Sequence, residues 1–246
     1  MKVITCAMQK GGVGKSAISM AVAVEIAKNH KTVLIDADPQ GNSTNAMLEN
    51  VNFELADVLQ GKCQVREATE KTSIDNLFMI PTKSLSPELR TYRQTQAVRE
   101  PFIFCDLKDE LEKQGFEYCV IDTCPAFDVF EENILQATDE VLPVIFLELF
   151  SLDGYTIFQN LLNDFKKRKR TQNPVLKTVV LNNYDSRKAI SSQIKQQFVD
   201  SGSNFHLVQS DQSFQRSINA RIPVQYLQGT KKETLEAIAE IAREVE

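Results

Sequence analysis

The stretch VITCAMQKGGVGKSAISMA, residues 3–21, decides the fold because an apolar run leads through a glycine-rich loop into a second apolar run. The first run is short and β-branched, which predicts a strand over residues 3–8. The second is apolar on nearly every side and predicts a buried helix over 17–28. A strand, a glycine-rich loop and a helix in this order form the setting of a phosphate-binding loop.

The loop departs from the common pattern G-x-x-x-x-G-K-[ST]. Where the first glycine would stand, the chain has Gln9, and an additional Lys10 follows. The glycines still let backbone N–H groups curl around an anion at the start of the helix. Lys15 is predicted to reach the β- and γ-phosphates, and the Ser16 hydroxyl to bind Mg²⁺. The predicted nucleotide-binding residues of the loop are Lys10, Gly11, Gly12, Val13, Gly14, Lys15, Ser16 and Ala17.

Short apolar runs alternate with helical patterns along the rest of the chain. Further strands are predicted over 32–36, 118–122, 140–147, 176–184 and 205–210, and helices over 101–114, 131–137, 152–169 and 188–200. Strands that are apolar throughout suit a sheet covered on both faces. The predicted fold class is therefore α/β, a doubly wound, mostly parallel sheet with helices on both faces. We expect one domain over 1–246, with no DNA-reading domain before the first strand.

The composition excludes several classes of protein. The chain has five cysteines and no C-x-x-C pair, which argues against a disulfide framework or a zinc site. It has no long apolar run and no signal peptide, so we expect a cytoplasmic protein. The formal net charge is −5, so nucleic-acid binding would require a local basic patch.

Three aspartates follow predicted strands and are candidates for the metal and water chemistry of a nucleotide site. Asp122 ends the apolar run YCVID and is predicted to hold Mg²⁺. Asp36 and Asp38 lie two residues apart at the end of TVLIDAD, so an extended chain places both carboxylates on one side. One of them is expected to support the metal shell and the other to orient the attacking water.

At this point the chain resembles the deviant Walker ATPases, and most closely the ParA family of DNA-partition ATPases. The resemblance is carried by KGGVGKS, DADPQGN and IDTCP, and it continues through FDVFEENILQATDEVLPV, ELFSLDGYTIFQNLL and LNNYDSR. It implies an ATP-sandwich dimer in which Lys10 crosses to the partner's phosphates and stabilises charge as an arginine finger does. It also implies catalytic roles for Lys10, Lys15 and Asp38, with the metal held at Ser16, Asp36 and Asp122.

The chain departs from the family pattern at three places. Ser16 replaces the commoner threonine, Cys124 replaces the first proline of the usual DTPP, and VQSDQSF does not match T-x-I-R. The family's adenine pocket makes Asn182 and Asn183 candidates. The PQGNST stretch after Asp38 and a helix beginning near Asp128 are expected to act as switches that sense the γ-phosphate.

The resemblance implies a cargo of DNA: a dimer that binds DNA without sequence preference in its ATP state, associates with the nucleoid and is stimulated by a ParB-like partner. Basic side chains that could contact phosphates stand in the second half of the chain. They are Lys166, Lys167, Arg168, Lys169, Arg170, Arg187, Lys188, Lys195, Arg216 and Arg221. The run at 166–170 also ends a predicted helix, where cations are favourable and are often simply solvated.

Other functions remain open at this stage. A MinD-like ATPase that positions a cargo at a membrane or on a protein assembly would need a basic amphipathic C-terminal helix for the membrane. The tail TLEAIAEIAREVE is acidic, and its apolar stripe is expected to pack on the core, so no membrane binding is expected. An iron–sulfur relative would need exposed cysteines, whereas Cys119 and Cys124 lie on or beside a buried strand. A binding module whose slow ATP turnover serves only as a timer is a fourth possibility.

Overall fold

The computed structural model describes residues 1–148 and 151–246. The two residues between them fall within the ELFSLDGYTIFQNLL stretch and lie outside the described residues. The described strands are β1 (Lys2–Ala7), β2 (Thr32–Ala37), β3 (Glu70–Lys71), β4 (Leu77–Ile80), β5 (Tyr118–Thr123), β6 (Glu140–Phe146), β7 (Val179–Tyr184) and β8 (Phe205–Gln209).

The described helices surround the strands. They are α1 (Lys15–Ile26), α2 (Asn42–Met47), α3 (Leu55–Leu59), α4 (Val65–Ala68), α5 (Pro87–Thr95), α6 (Ile103–Lys113), α7 (Val129–Ala137), α8 (Ser151–Lys169), α9 (Ala189–Asp200), α10 (Ser213–Ala220) and α11 (Lys232–Val245), with one 3₁₀ turn over Ala97–Arg99. Among the residues that the structure describes, we find no helix with the length and apolar content needed to cross a membrane.

The strands form one sheet in the order β3-β4-β2-β5-β1-β6-β7-β8. All neighbours run parallel except β3, which is antiparallel to β4. The strands β2 to β5 lie on one side of β1, and the strands β6 to β8, which come later in the chain, lie on its other side. This order places a crevice at the carboxyl ends of β1 and β5, where ligands bind in doubly wound sheets. The predicted fold class is confirmed.

Alternating side chains of the sheet enter two buried clusters. Val33 and Ile35 belong to a cluster with α3, α5, α6 and α7, whose buried members all come from residues 3–137. We call it the early core. Leu34 belongs to a larger cluster that contains α1, α8, α9 and α11 and extends to Val245. We call it the main core. This alternation explains why the strand sequences are apolar at nearly every position: helices bury both faces of the sheet.

The predicted elements are present, with shifted ends. Helix α1 begins at Lys15 instead of 17, so that Lys15 and Ser16 lie in its first turn. Strand β7 begins at Val179 instead of 176, because Val175 pairs separately with Glu140. Helices α2, α4, α5 and α10 were not predicted; α5 has a recognisable start, in which the Ser86 side chain accepts a hydrogen bond from Leu89 N.

Candidate nucleotide site

The phosphate loop between β1 and α1 requires glycine at two positions. Gly12 has φ 74° and Gly14 has φ 95°, a left-handed backbone that other residues adopt at a cost. A Cβ on Gly14 would also collide with Asn182 Nδ2. That amide donates to Val13 O at 2.9 Å, so the end of β7 closes onto the loop. The 12-residue helix α1 then begins directly after the loop, with its free N–H groups at the predicted phosphate site.

The two lysines of the loop lie in different environments. Lys15 is buried, with 6 % of its surface exposed, and its Nζ donates to Lys10 O at 3.3 Å. Burial lowers the pKa of Lys15, whereas the neighbouring Asp122 opposes that shift. Lys10 is half exposed, and its Nζ lies 2.6 Å from Glu148 Oε1. Lys15 therefore faces the interior of the site, while Lys10 lies at its rim.

Asp36 and Asp122 occupy directly paired positions on the neighbouring strands β2 and β5. Both carboxylates are fully buried. Burial raises the pKa of Asp122 to about 6, against hydrogen bonds from Ser43 and Ser16 that lower it. The Ser43 hydroxyl donates to Asp122 Oδ2 at 2.5 Å, and the Ser19 hydroxyl to Oδ1 at 3.4 Å. The Asp122 carboxylate therefore accepts hydrogen bonds from hydroxyls of α1 and α2, and Ser16, also predicted to hold the metal, lies in the first turn of α1.

Asp36 organises the loop that follows β2. Thr44 donates to Asp36 Oδ2 through its backbone N–H at 2.9 Å and its hydroxyl at 2.8 Å. Asp38 N donates to Asp36 Oδ1 at 3.2 Å, so both oxygens already accept from the protein. Burial, followed by the nearby Asp122, raises the pKa of Asp36. This arrangement makes Asp36 a support for the loop, which in turn carries Asp38.

Asp38 is buried, with 7 % of its surface exposed, and directly follows β2. Its Oδ1 accepts from Gln40 N at 2.9 Å, which fixes the carboxylate at the start of the 38–44 loop. Gly41, with φ 67°, approaches the chain after β4 so closely that a Cβ there would lie 2.7 Å from Thr82 O. The Thr82 hydroxyl donates to Asp36 O at 2.5 Å. The carboxylate predicted to orient water is thus supported by residues that follow two neighbouring strands, β2 and β4.

Several of these supporting residues were missed by the sequence reasoning. Ser43 and Thr44 stand in the PQGNST stretch, whose hydroxyls were the available signal for carboxylate contacts. Thr82 also donates its N–H to Thr44 Oγ1 at 2.9 Å. It follows β4, and the strand-like pattern over 77–80 does not show that β4 lies beside β2. Glu148 had no signal of its own, because its partner Lys10 is 138 residues away in the chain.

The two asparagines predicted for the adenine pocket lie at the end of β7. Asn182 contacts the phosphate loop, as described above. Asn183 has a left-handed backbone with φ 62°, and its N–H donates to Asn182 Oδ1 at 2.9 Å. Asn182 therefore holds the phosphate loop and the neighbouring backbone together at one side of the site.

The basic candidates for DNA contact fall at two edges of the sheet. The run at 166–170 ends α8, and the chain then returns to Val175, which pairs with Glu140 at the amino end of β6. This run therefore lies at the edge opposite the phosphate loop. The others follow the carboxyl ends of β7 and β8: Arg187, Lys188 and Lys195 before and within α9, Arg216 in α10 and Arg221 at its end.

Some of these cations already have partners in the protein. Arg168 forms a two-pronged ion pair with Glu132, at 2.7 and 3.2 Å. Arg187 pairs with Asp185 at 2.9 Å. Arg216 donates to the Gln228 carbonyl at 2.7 Å. Lys167, Lys169, Arg170, Lys188 and Arg221 are exposed. These five side chains could reach a phosphate backbone without first breaking the ion pairs described here.

The residues of the site fit a Mg²⁺–nucleotide. The buried ammonium of Lys15 and the N–H groups of the glycine loop supply charge and donors for phosphate oxygens. The Ser16 hydroxyl and the Asp122 carboxylate supply the hard oxygen ligands that Mg²⁺ prefers. A bound nucleotide would therefore meet anion-binding groups along the loop and metal ligands beneath it.

Comparisons with known proteins agree with this site. A family model described as an AAA domain matches residues 1–178. The chromosome partitioning protein ParA of Caulobacter vibrioides is 30 % identical over 201 residues, covering 79 % of this chain and 74 % of that protein.

Solved structures share the fold over the whole chain. The apo structure of Cyanothece McdA has a TM-score of 0.86 and 18 % identity, covering 100 % of this chain and 99 % of that one. The septum site-determining protein MinD from Pyrococcus horikoshii, complexed with Mg-ADP, has a TM-score of 0.79 and 19 % identity, covering 100 % and 96 %. Taken with the ParA match over most of both sequences, these similarities show that the chain belongs to the ParA family of P-loop partition ATPases.

Proposed function

We propose that this protein is a Mg²⁺-dependent ATPase that closes into an ATP-sandwich dimer, binds DNA without sequence preference and drives plasmid or chromosome partition with a ParB-like partner. The observation that carries the proposal is the division between the two lysines of one loop. Lys15 is buried inside the site, whereas Lys10 lies at its rim, paired with Glu148. A lysine at the rim can reach the nucleotide phosphates of a second subunit. The loop of its own subunit does not require this lysine for phosphate binding, because Lys15 supplies the cation there.

The catalytic roles follow from the positions of the side chains. Lys15 and the glycine loop bind the phosphates, and Ser16 with Asp122 holds Mg²⁺, which neutralises phosphate charge when bound. Asp38 orients the attacking water, and Asp36 keeps the 38–44 loop in place. Lys10 of the other subunit stabilises the negative charge that develops on the transferred phosphoryl group, so turnover requires dimerisation. Slow basal hydrolysis, accelerated by a partner, is expected from such an arrangement.

DNA binding is assigned to exposed cations. Lys167, Lys169 and Arg170 form the densest group, at the amino edge of the sheet. Lys188 and Arg221 lie at the carboxyl edge, closer to the nucleotide site. Phosphate contacts from either group give affinity without reading sequence. In the ATP state the dimer is expected to associate with the nucleoid, and in the ADP state to disperse in the cytoplasm.

A second candidate function is the positioning of another cargo, on a protein assembly or at a membrane. It is favoured by the likeness in fold to McdA and MinD over the whole chain. The membrane form has less support, because the apolar residues Ile238, Ile241 and Val245 of α11 are buried in the protein. Curated relatives that carry the ParA name favour DNA.

The test is DNA binding by Asp38→Ala, a change that should retain ATP and block hydrolysis. Binding to two unrelated duplexes is measured with ATP and with ADP across a salt series, alongside dimerisation by analytical ultracentrifugation. The proposal expects tight binding only with ATP, similar affinity for both duplexes and a steep loss with salt. An ATP-bound dimer that does not bind DNA would contradict it and direct the search to a protein or membrane cargo.

Charge reversal then locates the DNA surface. Lys167→Glu with Lys169→Glu tests the amino edge, and Lys188→Glu with Arg221→Glu tests the carboxyl edge. Lys62→Glu with Lys113→Glu, at lysines that are 54 % and 70 % exposed, is the control matched for net charge. Loss of DNA binding by one pair, with the ATP-dependent dimer intact, identifies the edge. Equal small losses in all three variants would show a general charge effect without a defined surface.

A further inference from the structure

The guanidinium of Arg93, on α5, is a buried cation outside the nucleotide site described above. Its side chain is 9 % exposed. Nη1 lies 2.9 Å from Glu131 Oε1, and Nη2 donates to Glu131 Oε2 at 3.1 Å, which makes a two-pronged pair. Nη2 also donates to Asp128 Oδ2 at 3.0 Å, and the guanidinium lies 4.8 Å from the centre of the Phe130 ring. One side chain thus ties α5 to the first turn of α7.

Arg93 also reaches the loop that connects Asp122 to α7. Its Nη1 donates to Cys124 Sγ at 2.9 Å, and the thiol lies 3.2 Å from Glu131 Oε1 as a donor. The next residue, Pro125, lies against the phosphate loop, since a Cβ on Gly11 would be 3.8 Å from its Cγ. Arg93 therefore contacts Cys124, and the next residue, Pro125, is a near neighbour of Gly11, the residue that follows Lys10.

The chemistry of this cluster requires arginine. A planar guanidinium can serve two carboxylates and a sulfur at once, whereas a lysine ammonium has no such fork. Burial alone would lower the pKa of Arg93, but Glu131 and the other groups around it raise that pKa above its ordinary value. The cation is therefore permanent, whereas burial raises the pKa of its partner Glu131 to about 7.

We propose that Arg93 is a positioning residue for ATP hydrolysis. It holds the 124–128 loop so that Pro125 stays against Gly11, beside the loop lysine Lys10. Arg93 itself touches neither phosphate nor metal ligand; it acts through the loop. The inference rests on ATP hydrolysis at this site and does not depend on DNA as the cargo.

The experiment compares variants that remove the Arg93–Glu131 pair and are expected to lose stability with variants that remove it and are expected to keep stability. Arg93→Met leaves Glu131 buried without its cation and is expected to lower the melting temperature. Arg93→Met with Glu131→Leu removes both charges and restores apolar packing, which often recovers stability. Arg93→Lys keeps the charge and loses the fork. Arg90→Met, at an exposed arginine one turn away on α5, is the matched control.

The readouts are the melting temperature, the Kd for a fluorescent ATP analogue and kcat for Mg-ATP. The proposal expects kcat to fall by about tenfold or more in Arg93→Lys and in the double variant, because small misplacement of reacting groups is costly. The Kd for nucleotide should stay unchanged in both. Arg90→Met should match the native protein. A stable double variant with native kcat would overturn the proposal and leave Arg93 a structural residue. Loss of DNA binding alone would bear only on the proposed function.

Discussion

The ammonium of Lys10 lies 2.6 Å from the Glu148 carboxylate of the same subunit. The lysine that we propose crosses the dimer interface is therefore already paired with a carboxylate of its own subunit. In the dimer that we propose, closure would exchange this ion pair for a contact with the other subunit's nucleotide. Both side chains are about half exposed, so the exchange costs little free energy and is reversible.

Glu148→Gln is expected to favour dimerisation. Removing the carboxylate frees Lys10, and exposed ion pairs contribute about 0.2–1 kcal/mol each. Because a symmetric dimer exchanges two such pairs, the dimer Kd should fall by up to about thirtyfold. The measurement is sedimentation with ATP in the Asp38→Ala background. Glu148→Asp, which keeps the charge, is the control. A weaker dimer in Glu148→Gln would show that Glu148 contributes to the interface itself.

Gly14→Ala is expected to abolish nucleotide binding. The added methyl meets the Asn182 side chain, and the left-handed backbone costs roughly a further 1 kcal/mol. Binding of a fluorescent ATP analogue checks this directly. Gly61→Ala is a matched control, because Gly61 has φ 66° but open space around it. It should lose only the backbone part of the stability, roughly 1 kcal/mol, and bind nucleotide normally. Equal binding by the two variants would refute the close-approach argument.

Nucleotide binding with Mg²⁺ should weaken in acid. Burial raises the pKa of Asp122 to about 6, and a metal ligand must be deprotonated. Below that pH, the Mg²⁺-dependent part of ATP affinity should fall by about tenfold per pH unit. Titrations from pH 5 to pH 8, with Mg²⁺ and with EDTA, measure it. Asp122→Asn should remove the Mg²⁺-dependent pH slope, and a slope that persists in this variant would assign it to another group.

The same raised pKa predicts the sign of a stability effect. In the metal-free protein, Asp122 keeps its proton up to about pH 6, whereas in the unfolded chain it loses it near 3.8. The folded state therefore binds the additional proton between these values, and the unfolding free energy decreases as pH rises through this window. Urea unfolding at pH 4.5 and 7 should show this decrease in the native protein and less of it in Asp122→Asn.

Thr44→Val is expected to uncouple the 38–44 loop from Asp36. The substitution removes the hydroxyl that donates to Asp36 Oδ2, and loss of a hydrogen bond to a buried carboxylate costs about 1–3 kcal/mol. Hydrolysis should fall because Asp38 loses its fixed position. Urea unfolding and kcat are the measurements. Thr91→Val, at an exposed helix hydroxyl, should leave both unchanged. Native kcat in a destabilised Thr44→Val would show that the loop does not position Asp38.

Sequence patterns predicted the fold and the proximity of Asp36 and Asp122 for one physical reason: the carboxyl ends of parallel strands meet at one edge of the sheet. Asp36 and Asp122 could therefore be placed together before their register was known. The supporting hydroxyl of Thr82 could not, since its place depends on β4 lying beside β2, which the sequence does not state. Arg93 was missed because α5 lies in a polar segment whose helical start, Ser86 followed by Pro87, was not recognised.

The two clusters that cover the sheet also differ in when they can form. The early core draws its buried members from residues 3–137 alone. During synthesis it can consolidate while the last hundred or so residues are still being added, since chains fold from the N-terminus as they emerge. Helix α1 packs in the main core, which includes Ile241 and Val245 of α11. The phosphate loop is thus among the first segments made, but the helix that follows it is covered by residues of α11, so we expect nucleotide binding to require that helix.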